Sequence, residues 1–304
     1  MFSKSLIRYT FTLLLFIELT SFVTMGQTNK ATQPLVVGDL NIYKLQDGQT
    51  YLQVSDLLGI NPDKTKKLVG DIDSVCVPIN SYLIKTPKHV LLVDAGAGIN
   101  SGEDTGHLTE QLKKAGIEPN QIDAILITHF HFDHISGLTT AEGKPVFPNA
   151  TLYISKVESD YWMRDLDSIP ENQRIRASKY RGILAPYVST NRYRTFLQNE
   201  NLGEGIKAMP AYGHTIGHTV YAFVSKGEEV WFIGDLIHFE KIQFTYPKVS
   251  LLFDYNGSMA IDSRLDYFRR AANTNAYVAG THLTKIVKLK TDENGFKAIP
   301  VNSY

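Results

Sequence analysis

The stretch Thr128-His129-Phe130-His131-Phe132-Asp133-His134 constrains this chain more than any other. It packs three imidazoles and a carboxylate into six residues, in the pattern H-x-H-x-D-H. Ahead of it runs Ile122-Asp123-Ala124-Ile125-Leu126-Ile127, a short apolar segment that reads as a buried strand. At the end of a strand, side chains two apart point the same way, so His129 and His131 can project together beyond a sheet. Ser136 and Gly137 then force a turn, which brings Asp133 and His134 back to the same point from another side. Imidazole and carboxylate are the preferred ligands of zinc and similar divalent ions. The cluster is too rich for one open tetrahedral site that also recruits distant ligands, and it reads as half of a two-metal centre.

The rest of the chain supplies further ligands in similar settings. His214 lies in Gly213-His214-Thr215-Ile216-Gly217-His218, a glycine-flanked turn just before a strand. Asp235 closes the apolar run Val230-Trp231-Phe232-Ile233-Gly234, and His282 follows the run Ala276-Tyr277-Val278-Ala279-Gly280. Strand ends along one rim of a rigid scaffold can bring together ligands that are distant in sequence. On this reading His129, His131 and His214 form one site, Asp133, His134 and His282 a second, and Asp235 bridges them. His218 is assigned a structural role, because His214 already fills the ligand position.

Strand, turn, strand and acid occur twice. His89 to Gly96 ends in Asp94-Ala95-Gly96, and Glu229 to Asp235 repeats the arrangement after the Lys226-Gly227 turn. Two such units suggest a duplicated architecture of facing sheets with helices outside. Helices are expected around Leu108, Leu112 and Ala115, over most of residues 156 to 200, and from Met259 to Ala272, where Ile261, Leu265 and Phe268 recur at helical spacing. The tail is a hairpin around Asp292-Glu293-Asn294-Gly295. No linker divides the chain, so residues 27–304 read as one domain. Asp94, at a strand end beside the histidine run, is expected to accept the second N–H of a ligand histidine or to fix its own turn. Trp162 is assigned either to ordinary packing or to the wall of an apolar substrate pocket.

Residues 1–26 read as an export signal. Lys4 and Arg8 precede a mostly apolar stretch from Tyr9 to Val23, and Thr24-Met25-Gly26 offers small residues for cleavage. The alternative is an uncleaved N-terminal anchor, and no later segment has the roughly 20 apolar residues needed to span a bilayer. Cys76 is the only cysteine, so no intrachain disulfide can form, and export without disulfides suits a bacterial periplasmic or secreted protein. Lysine plus arginine number 31, as do aspartate plus glutamate, so no net field gathers nucleic acid or an anionic membrane.

The motifs T-H-F-H-F-D-H, G-H-T-I-G-H, I-G-D and G-T-H, in this order, resemble those of the metallo-β-lactamase fold superfamily over roughly residues 38–301. The resemblance implies an α+β fold, a four-layer αββα sandwich with its metal site at one edge. It also implies a hydrolase with two divalent metal ions, Zn2+ being the first choice, acting through a metal-bridging hydroxide. True zinc β-lactamases carry a cysteine where this chain has Asp235, which argues against β-lactam hydrolysis. Glyoxalase II carries a C-terminal helical domain where this chain has a strand and hairpin.

The segments Asn80-Ser81-Tyr82-Leu83, Gly234-Asp235-Leu236-Ile237-His238 and Ile242-Gln243-Phe244 look like methyl parathion hydrolase and the exported N-acyl-homoserine lactonases near it. Many lactonases place a tyrosine three residues after the bridging aspartate. His238 stands there in this chain, either as a replacement donor to the substrate carbonyl or as a structural histidine. Asp133 is the expected proton shuttle. The expected partner is a small-molecule ester or lactone, best an N-acyl-homoserine lactone in quorum quenching, with an organophosphate triester as alternative. A non-hydrolytic metal or redox protein is the reading from another class, and homodimerisation is implied by the resemblance alone.

Overall fold

The structure, a computed structural model, describes residues 33–99, 102 and 104–301. The export-signal reading of residues 1–26 lies outside the described residues. No helix among them is long and apolar enough to cross a membrane.

Two seven-stranded sheets carry the chain. The first runs Leu35–Val37, Leu40–Gln53, Ser74–Lys85, Val90–Val93, Ala124–Leu126, Thr151–Ser155 and Tyr193–Phe196, edge to edge. Its first four strands pair antiparallel, and the last three continue in parallel. The second runs Phe296–Pro300, Val287–Thr291, Tyr277–Ala279, Glu228–Phe232, Thr219–Ser225, Ile206–Pro210 and Asn201–Gly203, with one parallel pair, Glu228–Phe232 beside Tyr277–Ala279. Each half of the sequence therefore builds one sheet, apart from the Tyr193–Phe196 edge strand. That strand interrupts a stretch expected to be helical to about residue 200. Three of its four residues, Tyr193, Thr195 and Phe196, are good strand formers, and the strand pairs in parallel with Leu152–Ser155.

Strand alternation sorts the core into layers. Between the sheets lie Ile42, Tyr82, Ile84, Leu91 and Val93 from one side, against Tyr221, Phe223, Val230 and Phe232 from the other. The neighbouring residues Leu83, Leu92, Ile125 and Leu152 face outward, onto a cluster with Leu112, Ala177, Tyr180 and Leu184 from the helices Leu108–Lys114 and Glu171–Ser189. On the opposite outer face Val220, Ala222, Trp231 and Val278 receive Tyr267, Phe268 and Ala271 of the helix Gly257–Thr274. Helix, sheet, sheet, helix is the expected αββα order. Period-two alternation buried on both faces of a strand requires this arrangement, since each sheet must be covered twice.

Two phenols fasten the sheets to each other at one rim. Tyr82, from the first sheet, donates its hydroxyl to the Gly280 carbonyl of the second at 2.8 Å. Tyr221, from the second, donates to the Ile127 carbonyl of the first, also at 2.8 Å. Asn80 adds side-chain bonds to the carbonyls of Thr281 and Leu283, at 2.8 and 2.9 Å. Each of these acceptors lies within two residues of a histidine of the expected metal centre.

Candidate metal centre

The histidine run leaves the sheet just after Leu126. Ile127 still pairs with the Tyr153 carbonyl at 2.9 Å, and the Thr128 carbonyl accepts from Thr219 N of the other sheet at 3.0 Å. His131 then caps a short helix, Phe132–Ile135, which turns Asp133 and His134 back toward His129. The loop between Pro210 and Thr219 brings in His214, and the loops after Phe232 and Ala279 bring in Asp235 and His282.

The seven side chains converge in two groups: His129, His131, His214 and Asp235, and Asp133, His134, Asp235 and His282. Within each group the candidate ligand atoms all lie within 4.8 Å of one another. Asp235 is common to both. Its Oδ2 stands 3.3 Å from His214 Nε2 and 3.4 Å from His282 Nε2, while its Oδ1 faces His134 Nε2 at 3.2 Å. All but His131 and Asp133 are buried.

The donor set fits a pair of cations. His129 Nε2 and His214 Nε2 each come within about 3 Å of the same atom, His131 Nδ1, at 2.9 and 3.0 Å. Three ring nitrogens crowded in this way bring lone pairs together, which a shared cation would favour. His134 Nε2 and Asp235 Oδ1 are buried 3.2 Å apart without a well-formed hydrogen bond to each other or to any other group, an arrangement that binding a metal would relieve. Burial pushes the Asp235 carboxyl up, but the surrounding His134, His282 and His238 outweigh it and hold the group well below the usual carboxylate range. Asp235 is thus an anion at any working pH, as a bridging ligand must be.

The outward ring nitrogens are fixed by acceptors, as metal-ligating histidines require. Asp94 accepts from His134 Nδ1 at 2.8 Å and from Thr128 N and Oγ1, both at 2.8 Å. It thereby does both things expected of it, orienting a histidine and fixing a turn, from a left-handed backbone at φ +58° that Asp tolerates better than most residues. His214 Nδ1 meets Asp254 at 2.9 Å, and His282 Nδ1 meets the Pro78 carbonyl at 2.9 Å. His218 stands apart from the ligand groups. It bonds the Ala211 carbonyl at 3.1 Å through Nδ1 and receives Asp235 N at 3.0 Å on Nε2, which is the structural role expected of it.

Sequence reading missed three residues that hold the centre in place. Glu158 is fully buried, and its carboxylate accepts Phe130 N at 3.1 Å, Trp162 Nε1 at 3.2 Å, and Thr215 Oγ1 and Gly217 N at 2.8 Å each. It ties the loop bearing His129 and His131 to the loop bearing His214. Asp254 gives no sequence signal, because it lies in the loop between Leu251 and Gly257 and closes no apolar strand beside the histidine it serves. Arg264, 1% exposed, donates to the carbonyls of Leu236, Pro247 and Val249 and so clamps the segment that follows Asp235.

A cavity of about 360 Å3 opens over the second group of ligands. Asp133, Asp235, His131, His238 and His282 form its floor, and its walls include Leu52, Ile79, Phe132, Tyr180, Arg176 and Phe253. Trp162 is not among them, which corrects its expected place in the pocket wall. Its indole lies behind Tyr180, with ring centroids 5.0 Å apart, and its N–H is spent on Glu158. Tyr180 occupies the wall instead.

A sequence profile of the metallo-beta-lactamase superfamily matches residues 75–282. The chain belongs to that superfamily. Its members' fold accounts for both sheets and the rim site described above, and the chain is a metal-dependent hydrolase. Among solved superfamily structures, hydrolase AbOPH superposes with a TM-score of 0.83 at 28% identity, covering 90% of this chain and 98% of that one. AidC, a dizinc quorum-quenching lactonase, superposes with a TM-score of 0.81 at 29% identity over the same shares. A probable metallo-hydrolase of Mycobacterium tuberculosis is 22% identical over 279 residues, covering 78% of this chain and 88% of the relative.

Proposed function

We propose that this superfamily member is a di-zinc lactonase whose first substrate class is the N-acyl-homoserine lactones. The observation that carries the reading is the cavity over Asp133 and Asp235. It sets a polar floor beneath apolar walls, Leu52, Ile79, Phe132 and Phe253, which suits a polar ring with an apolar tail. The likeness to a dizinc lactonase at 29% identity supports it. The aromatic walls also favour a second reading, an aryl phosphotriester hydrolase, which shares the same floor.

The seven ligands would hold the ions, three imidazoles on one and Asp133, His134 and His282 on the other, with Asp235 between. A bound pair of this kind supplies an acidified water at neutral pH and polarises the scissile carbonyl. The protein's own groups do the rest. Asp133 lines the cavity and its side chain is 28% exposed, with Oδ2 3.6 Å from His134 Nε2 and 3.5 Å from His282 Nε2. Of the two carboxylates on the cavity floor it is the more exposed one, Asp235 being buried, so it accepts a proton there and returns it to the leaving oxygen.

Of the two roles open to His238, donor to the carbonyl or structural histidine, its surroundings favour the second. Its Nε2 stands 3.1 Å from Asp235 Oδ2, and its Nδ1 is buried without a hydrogen-bond partner. Burial outweighs the attraction of Asp235 and pushes the ring down to about 4, so it is neutral. A neutral ring with its single proton drawn toward Asp235 offers only a lone pair at Nδ1. We therefore assign His238 to steadying Asp235 and shaping the cavity floor.

The test is a hydrolysis panel on metal-loaded protein: acyl-homoserine lactones of several chain lengths, an aryl phosphotriester, S-lactoylglutathione and a cephalosporin. Selective turnover of the lactones is expected. Preference for the phosphotriester would replace the first reading by the second, and inactivity on both would overturn the assignment of substrate.

A further inference from the structure

We propose that Tyr180 and Arg176, one turn apart on the helix Glu171–Ser189, form a two-donor subsite for a substrate carbonyl oxygen outside the scissile bond. The inference rests on the hydrolase reading above and narrows its substrate class to esters or lactones that carry an amide carbonyl near the reacting group.

Tyr180 supplies the first observation. It is fully buried and lines the cavity, yet its hydroxyl is a buried polar atom with no hydrogen-bond partner. Buried phenols almost always find a partner, so one left over at a cavity wall points to a ligand. Its ring cannot swing elsewhere. Phe132, Trp162 and Phe130 pack around it with centroids at 4.9, 5.0 and 6.0 Å, which holds the ring in place. Burial raises its pKa above the ordinary phenol value, so at working pH it is a donor.

Arg176 supplies the second. It precedes Tyr180 by four residues, which puts both side chains on one helix face. It is the only lysine or arginine lining this cavity among the described residues, and its side chain is exposed. It lines the same cavity as Tyr180 and His131. A phenol O–H and a guanidinium edge are both donors, and two donors side by side select an acceptor oxygen. The scissile carbonyl belongs on the floor, at the ligand cluster. The oxygen held by α-helical donors in the wall is therefore a second one, and in an N-acylated lactone the acyl amide provides it.

Zinc-loaded wild type, Tyr180→Phe, Arg176→Met and Arg176→Lys separate the possibilities. Two lactones of similar length are compared, N-hexanoyl-homoserine lactone and γ-decalactone, which lacks the amide. Binding of the hydrolysed product N-hexanoyl-homoserine is followed by calorimetry. In Tyr180→Phe and Arg176→Met the ratio of kcat/KM for the acylated over the plain lactone should fall about tenfold, the size of one lost hydrogen bond. Product affinity should weaken by a similar factor, with partial recovery in Arg176→Lys. An unchanged ratio with unchanged product affinity would overturn the subsite. So would an equal loss on both lactones, since that is what a merely structural role would give. If wild type opens neither lactone, the substrate assignment above fails by itself. Calorimetry then decides the subsite: weaker product binding in the variants upholds it, and equal or no binding in all four proteins overturns it.

Discussion

Glu158→Gln is the sharpest test of how the centre is assembled. The change is nearly isosteric, so packing is preserved and only hydrogen bonding alters. The glutamine amide must place its NH2 where one carboxylate oxygen stood. At the Oε1 position it would confront both Phe130 N and Trp162 Nε1; at Oε2 it confronts Gly217 N, while the Thr215 hydroxyl can rotate to accept. The second orientation is cheaper and leaves one buried N–H unpaired, which costs about 1–3 kcal/mol. Two remaining bonds lose their charge assistance, for roughly 1 kcal/mol more. Burial raises the Glu158 carboxyl, so removing a desolvated charge returns part of this. A net destabilisation of about 1–2 kcal/mol is expected, read as a shift in the urea midpoint.

The larger effect should fall on metal. Glu158 grips the backbone between His129 and His131 and the residues just after His214, but makes no hydrogen bond to Asp133, His134 or His282. One of two metal equivalents should therefore weaken by about 10–100-fold, the usual cost of losing a residue that orients ligands. Metal titration followed by elemental analysis would read this as two unequal binding steps. Wild-type stability with two equal, unweakened equivalents would refute the reasoning, and simultaneous loss of both ions would show that the two groups are not separable.

Two further perturbations probe neighbouring parts of the site. In Asp254→Asn the amide oxygen can still accept from His214 Nδ1, but the charge is lost; metal affinity should drop about tenfold in a competition assay with a chromophoric chelator, with little change in fold by circular dichroism. In the metal-free protein burial works to lower His214, but its bonds to Asp235 and Asp254 prevail and raise it from 6.5 to about 9. The stabilisation from its charged form is complete below pH 6.5 and disappears as pH rises through 9. Metal uptake requires the neutral ring, so it should release a proton and strengthen over the same interval. Calorimetry in buffers of different ionisation enthalpy would detect that proton, and pH-independent uptake between 6.5 and 9 would contradict the assignment of His214.

The ligand cluster was legible because metal-binding side chains are costly to crowd together without a metal, so their spacing alone signals chemistry. The sandwich was legible because strands such as Leu91-Leu92-Val93 and Tyr221-Ala222-Phe223 are apolar on both faces. What escaped was whatever acts through backbone. Glu158 sits in a helix, Lys156–Met163, where a single acid reads as a solvated charge, and three of its four partners are amide or indole N–H groups with no sequence signature. Trp162 is open to both packing and pocket in the sequence because an aromatic in a helix near the site can face either way. Residue type does not tell which of two stacked rings, Trp162 or Tyr180, lies nearer the substrate.

The crossed grips of Tyr82 and Tyr221 have a consequence for how this enzyme can be taken apart. Each half of the chain reaches over to hold the segment from which the other half presents a histidine. Neither half, expressed alone, would keep its own ligands in place. A protein cut in the connection before Asn201 should bind no ion as separate fragments and regain both together on mixing. Loss of metal and loosening of the seam are then two views of a single event.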